Sequence, residues 1–160
     1  MKVIFSSSRS EWSRGGRGRI AALVSEAAGL AGLRTDAGQR LSLHFVTSSE
    51  IREVNRKFLG HDRPTDVISF DYSRSGISMP GDPVAEIFVS PEAAEAFASG
   101  RKGKSYSDEM ALYVVHGILH AAGEEDCTSA ARRRMRRRER RIIARLRRKF
   151  RFTELFPHDG

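Results

Sequence analysis

Residues 107–126 read SDEMALYVVHGILHAAGEED, and the fold is decided there. Ser107-Asp108-Glu109 has the composition of a helix start. From Met110 to Ala122 the segment is apolar almost all round, as expected of a helix buried inside a domain. Two histidines interrupt it, His116 and His120. Residues four apart on a helix lie about 5 to 6 Å apart at Cβ, so both imidazoles leave the same face and can grip one cation. Gly123 permits the left-handed turn that ends the helix, and the chain can then carry Asp126 back toward the same point. Two imidazoles and one carboxylate fill three corners of a tetrahedron and leave the fourth open to solvent. That donor set suits zinc and also describes the facial triad of non-haem iron enzymes; zinc is the expected ion. The bland alternative is a pair of core histidines satisfied by backbone carbonyls. Two rings at this spacing, followed by a glycine turn and an acid, weigh against it.

Outward from this helix, the chain alternates short strands and helices. Lys2–Phe5 reads as a strand, and Ile20, Leu23, Val24, Ala27, Leu30 and Ala31 recur at helical spacing between about residues 17 and 33. Leu41, Leu43 and Phe45 alternate as a half-buried strand. Thr47-Ser48-Ser49-Glu50 has the form of a capping box and starts a helix to about Phe58, stopped by Gly60. Val67–Tyr72 and Val84–Val89 pair as a hairpin, and Ser90-Pro91-Glu92 opens a short helix to about Ser99. A last helix spans about 129–150, with Met135, Ile142, Ile143, Leu146 and Phe150 on one stripe and a short tail over 151–160. The expected architecture is α+β, one domain over 1–160, with a small mixed β-sheet of about four strands and about five helices around the histidine helix.

Charge is the next constraint. The chain carries 28 Lys plus Arg against 20 Asp plus Glu, a net +8, and 13 of those cations fall within residues 132–151 beside a single acid, Glu139. The rest of the molecule is therefore net acidic, and the basic character is one patch. Such a patch favours a polyanion, RNA or DNA rather than an anionic membrane, because the segment has no exposed Trp/Phe/Leu face; the bland alternative is a solvated helix face. Arg132, Arg133, Arg136, Arg137, Arg140 and Arg141 are the expected nucleic-acid contacts. Glu139 falls on the apolar stripe, so it points inward and needs a partner there, since an unpaired buried carboxylate costs several kcal/mol. Cys127 is the only cysteine, which excludes disulfides within the chain and any site built from several thiolates. With no secretory apolar core and no run of about 18 apolar residues, a cytoplasmic protein is expected. Glu124 and Glu125 read as support behind the ligands, as a proton acceptor or, the reading preferred, as solvated acids.

The spacing H-x-x-x-H-x-x-G-x-x-D has the shape of the ligand run in metzincin proteases, with Asp in the last place. Those enzymes carry a general-base Glu directly after the first His, where this chain has Gly117, which argues against a metallopeptidase. Taken together, His116, Gly117, Leu119, His120 and Gly123, with Met135 and Glu139 behind them, resemble the signature of the YbeY-type endoribonucleases, also called ribosomal RNA maturation factors. Upstream, Asn55, Gly60, Asp62, Pro64, Thr65, Asp66, Val67, Ser69 and Phe70 resemble that family's second motif, and Glu86-Ile87 with Val89-Ser90 its following strand.

The resemblance spans Thr47 to Glu139 and departs from the pattern at three places. Asp126 stands for the usual third His, Leu59 for an arginine associated with the active site, and Ala121, Glu124 and Glu125 for Leu, Tyr and Asp. It implies a zincin-like fold and a metal-dependent hydrolase that cuts single-stranded RNA in ribosomal RNA maturation and ribosome quality control, with ribosomal RNA and the small ribosomal subunit as partners. It further implies that His116, His120 and Asp126 act catalytically through a metal ion, that Glu139 and Asp66 support them, and that Arg56, His61 or Arg63 replaces the arginine lost at Leu59. The readings held against it are a ribosome assembly factor with a structural metal and, more remotely, a metallopeptidase.

Overall fold

The computed structural model describes residues 1–7, 16–33, 39–73 and 81–158. Strand β1 (Lys2–Ser7) leads to helix α1 (Arg17–Ala31), then β2 (Arg40–Phe45), α2 (Ser48–Val54), the hairpin strands β3 (Val67–Asp71) and β4 (Pro83–Val89), α3 (Pro91–Ala98), α4 (Tyr106–Ala121), α5 (Ser129–Arg147) and α6 (Phe152–Leu155). The four strands form one mixed sheet in the order β1-β2-β4-β3. β1 and β4 both run parallel to β2, and β3 pairs antiparallel to β4, which leaves the other side of β3 as a free edge. The α+β architecture and the strand number agree with the sequence reading.

One face of the sheet, Leu41, Leu43 and Phe45 of β2 with Ala85, Ile87 and Val89 of β4, is almost fully buried beneath the helices. α4 is the central helix. Met110, Ala111, Val114, Val115, Ile118 and Leu119 are all 0% exposed, which is why its sequence lacks a polar face. Gly117 sits where a Cβ would lie 2.6 Å from Ile87 Cγ2 and 3.2 Å from Val67 Cγ2, so the glycine sets how closely α4 approaches β3 and β4. Ser69 Oγ of β3 donates to the Gly117 carbonyl at 2.9 Å and fastens the same contact.

Several boundaries move, each for a local reason. The α4 cap is Ser105, not Ser107: Ser105 Oγ accepts from Asp108 N, while Ser107 is already inside the first turn and donates to the Phe156 carbonyl at 2.7 Å. Thr128 caps α5, which ends at Arg147 rather than near Phe150. α1 stops at Ala31 because Gly32 turns left-handed at φ 75° and the Leu33 amide reaches back to the Ala28 carbonyl. The capping box at Thr47–Glu50 forms as read, but after Val54 the helix widens into a π-turn over Asn55–Leu59 before Gly60 closes it at φ 74°. Among the described residues there are six α-helices, in keeping with the expected number of about five. The described part of the expected tail, residues 151–158, is packed: α6 and the Phe156 that follows it bury Phe152, Leu155 and Phe156, at 4%, 2% and 0% exposure, in the core. Among the described residues no helix is long and apolar enough to cross a membrane.

Candidate metal centre

The C-terminal turns of α4 present His116 and His120 to a cleft of about 480 Å³ that runs along the free edge of β3. After His120 the helix unwinds through Gly123 at φ 97°, with the Glu124 amide bonded to the Leu119 carbonyl at 3.0 Å, and this bend returns Asp126 to the histidines. The two Nε2 atoms are 3.0 Å apart. Asp126 Oδ2 lies 3.5 Å from His120 Nε2 and 3.7 Å from His116 Nε2. His116, His120 and Asp126 are the one group of three among the described residues whose donor atoms could hold a metal ion, all within 4.8 Å of one another.

Hydrogen bonding fixes which ring nitrogens face the cleft. Glu139 Oε1 lies 2.6 Å from His116 Nδ1, and the Glu124 carbonyl lies 2.9 Å from His120 Nδ1. A carboxylate and a carbonyl only accept, so each Nδ1 carries the proton and each Nε2 of the neutral ring is a lone pair. Two lone pairs 3.0 Å apart beside a carboxylate oxygen repel one another unless a cation stands between them. Metal–nitrogen bonds of 2.0–2.1 Å imply tetrahedral edges of about 3.3 to 3.5 Å, and the three observed separations bracket that range. The residues therefore fit a small divalent cation. Without one, burial depresses the His116 pKa, but the Glu139 hydrogen bond and charge, with Asp126 and Asp66 behind them, outweigh it and hold the ring above its ordinary value.

Glu139 occupies the inward position its place on the apolar stripe required. Asp66 stands differently: its Oδ1 accepts from the Val67 amide at 2.8 Å and from Thr65 Oγ1 at 3.2 Å, so it caps the start of β3 and reaches His116 only through its charge. Glu124 is not the solvated acid its sequence suggested. Its side chain is 18% exposed and is paired with Arg138 and Arg134 of α5, and Arg138 also donates to the Ala31 carbonyl at the end of α1. The pair pins the backbone whose carbonyl orients His120, a role invisible to local pattern because the arginines arrive from ten or more residues away. Glu125 is exposed and Cys127 is an exposed free thiol.

Leu59, His61 and Arg63 line the cleft. Arg56 does not, since it is taken up by Glu53 one turn back. Sequence reasoning gave Asn55 no role of its own. It is 5% exposed, lines the cleft, and donates from Nδ2 to the Arg63 carbonyl at 2.9 Å, so it holds the loop that carries His61 and Arg63. Along α5, Arg132, Arg133, Arg136, Arg137, Arg140 and Arg141 are all exposed, and Arg132 also donates to the carbonyls of Asp126 and Cys127. The contact at Gly117 also explains the absent protease glutamate: a side chain there would enter Ile87 rather than the cleft.

Comparison with known proteins places this geometry. A protein of Elusimicrobium minutum described as endoribonuclease YbeY is 40% identical over 106 residues, covering 66% of this chain and 73% of that protein. One of Halalkalibacterium halodurans with the same description is 39% identical over 95 residues, 52% of this chain, and is matched over 57% of its own length. A solution structure from Thermotoga maritima superposes with a TM-score of 0.59 at 24% identity, over 99% of this chain and 97% of that one, which is a likeness of fold. The sequence profile of the family Endoribonuclease YbeY matches residues 13–147, and the chain belongs to that family.

Proposed function

We propose that the protein is a divalent-metal-dependent endoribonuclease of the cytoplasm. It cuts single-stranded RNA during ribosomal RNA maturation and ribosome quality control, with the small ribosomal subunit as its setting. The observation that carries the reading is the convergence of His116 Nε2, His120 Nε2 and Asp126 Oδ2 on one point of an open cleft, in a chain of the endoribonuclease YbeY family. When bound there, a cation such as zinc supplies Lewis-acid stabilisation of charge on a phosphodiester and makes a nearby water more acidic.

The protein's own groups prepare that point. Glu139 and the Glu124 carbonyl fix both imidazoles in the tautomer with Nε2 free, and the buried Glu139–His116 contact keeps the ring from turning away. Arg63 brings positive charge and His61 an imidazole to the wall where Leu59 offers neither. Arg133, Arg136, Arg137, Arg140 and Arg141 supply sequence-independent phosphate contacts, each contributing a salt slope of about −0.7 on single strands.

The test is incubation of the purified protein with single-stranded ribosomal RNA, with and without chelator, beside His120→Ala. Cutting that needs metal and His120 is the expected result; a metal-loaded protein that never cuts would overturn the reading. Leu59 favours one other account, an assembly factor with a structural metal. It predicts binding to small-subunit particles that His120→Ala leaves unchanged, and no cleavage.

A further inference from the structure

Among the described residues, the exposed large apolar side chains are Phe58 at 62%, Leu59 at 49% and Tyr72 at 36%, and they belong to one surface. Scattered singly, such residues would need no explanation. Here Phe70 joins them: its ring lies 5.6 Å from Phe58 in an edge-on contact and 6.5 Å from Tyr72 with the planes 11° apart. Phe88 continues the series at 5.9 Å from Phe70, and His44 stacks on Phe88 at 4.5 Å. The register explains the row. Ile68 faces Phe88 across β3 and β4, and alternation puts Phe70 on that same face of the sheet, the one turned away from α4.

The surface is continuous with the cleft. Leu59 belongs to both, and Ile68, Ser69 and Asp71 of β3 line the cleft along the edge that the aromatic row borders. Lys57 Nζ lies 5.6 Å from the Phe58 ring centre, and Arg63 stands on the cleft side. Exposed ring faces beside cations, at the mouth of a site that handles a polyanion, match how single-stranded nucleic acids are held: bases stack on aromatic faces while the backbone follows positive charge. Glu86, opposite Phe70 in the register, lies on the same face, 3.8 Å from His44, and its charge reaches the Tyr72 hydroxyl.

We infer that Phe58, Phe70 and Tyr72 form a stacking platform for unpaired bases of the RNA strand that leaves the metal cleft over Leu59. This rests on the endoribonuclease reading and adds to it a physical source of single-strand preference, because the bases of a duplex cannot reach a ring face. The Arg-rich helix then serves affinity and the platform serves strandedness.

The experiment reads binding in chelated protein, so that nothing is cut. The only tryptophan, Trp12, is replaced by Phe, and Phe58→Trp makes position 58 the sole indole. A short single-stranded oligoribonucleotide should quench that indole, and its duplex should not. Phe58→Ala and Tyr72→Ala, both at exposed positions, should each weaken single-strand binding about tenfold while duplex binding stays constant. Equal quenching by both RNAs, or unchanged binding in both alanine variants, would overturn the platform. So would light scattering showing that the patch pairs two copies of the chain and that Phe58→Ala separates them. Failure of the metal-loaded protein to cut RNA sinks the endoribonuclease reading instead, and leaves this measurement intact.

Discussion

Replacing Glu139 isolates the contact on which metal binding at the candidate centre should depend. Its Oε1 lies 2.6 Å from His116 Nδ1, with side-chain exposures of 13% for Glu139 and 25% for His116, so water screens the pair weakly. Hydrogen bonds to charged partners in such settings contribute about 1.5 to 3 kcal/mol. If that energy holds the ring with Nε2 toward the cation, its loss corresponds to roughly a 10- to 150-fold weaker metal site at 1.4 kcal/mol per decade. The figure agrees with the 10- to 100-fold (about) seen when partners of ligating histidines are removed elsewhere. Glu139→Gln keeps an acceptor of nearly the same shape and loses the charge, so about a tenfold loss is expected; Glu139→Ala loses both and should approach a hundredfold. Competition against a chromophoric chelator measures the affinity, and circular dichroism checks that the fold survives. If Glu139→Ala bound metal within about threefold of the unaltered protein, the second nitrogen of His116 would not be what orients the first, and the argument would fail.

Three further outcomes follow from the geometry. Gly117→Ala should destabilise the protein by up to about 2 kcal/mol in urea unfolding, because overpacking against the fully buried Ile87 costs about 1 to 3 kcal/mol and helix propensity returns only about 1; a neutral or stabilised variant would show that α4 does not press on β4. Phe156→Ala should cost about 3 to 5 kcal/mol, since the ring is 0% exposed, and an unchanged melting temperature would return residues 151–160 to the status of a tail. In metal-free protein the raised His116 pKa means that the folded state holds a proton more tightly than the unfolded chain. Its stabilisation is complete below the ordinary value of 6.5 and disappears as pH rises through the higher folded value. Urea titrations of unaltered protein and Glu139→Gln should therefore diverge most in the acid range and converge in alkali; a constant offset would remove the proton from the account.

What could be read from the sequence was what is local. His116 and His120 are one turn apart on one helix, Gly123 supplies its own left-handed bend, and Glu139 faces inward because Met135 and Ile142 do. Each inference needed only the 3.6-residue period. Glu124 shows the limit of that method: of two adjacent acids that look alike, α5 brings Arg134 and Arg138 within reach of the first and leaves Glu125 exposed. The strand order is equally non-local, since β4 enters beside β2 and pushes its own hairpin partner β3 to the edge that becomes the wall of the cleft.

The missing arginine combines both cases. Leu59 is legible as a substitution, but which basic side chain faces the cleft beside it depends on the π-turn over Asn55–Leu59, whose wider turn breaks the helical register that Arg56 and Leu59 would otherwise share. Arg56, inside that π-turn, is tied back to Glu53 of the regular helix, while His61 and Arg63 come forward on a loop that the buried Asn55 amide holds in place. The charge facing the cleft is thus set by one irregular turn and one buried side chain. The expectation that follows is specific: Arg63→Ala should weaken RNA cleavage more than Arg56→Ala, which removes only an exposed pair on a neighbouring turn. Equal losses of kcat/KM in the two variants would mean that Arg56 leaves Glu53 when RNA binds, and that the π-turn does not select the cation.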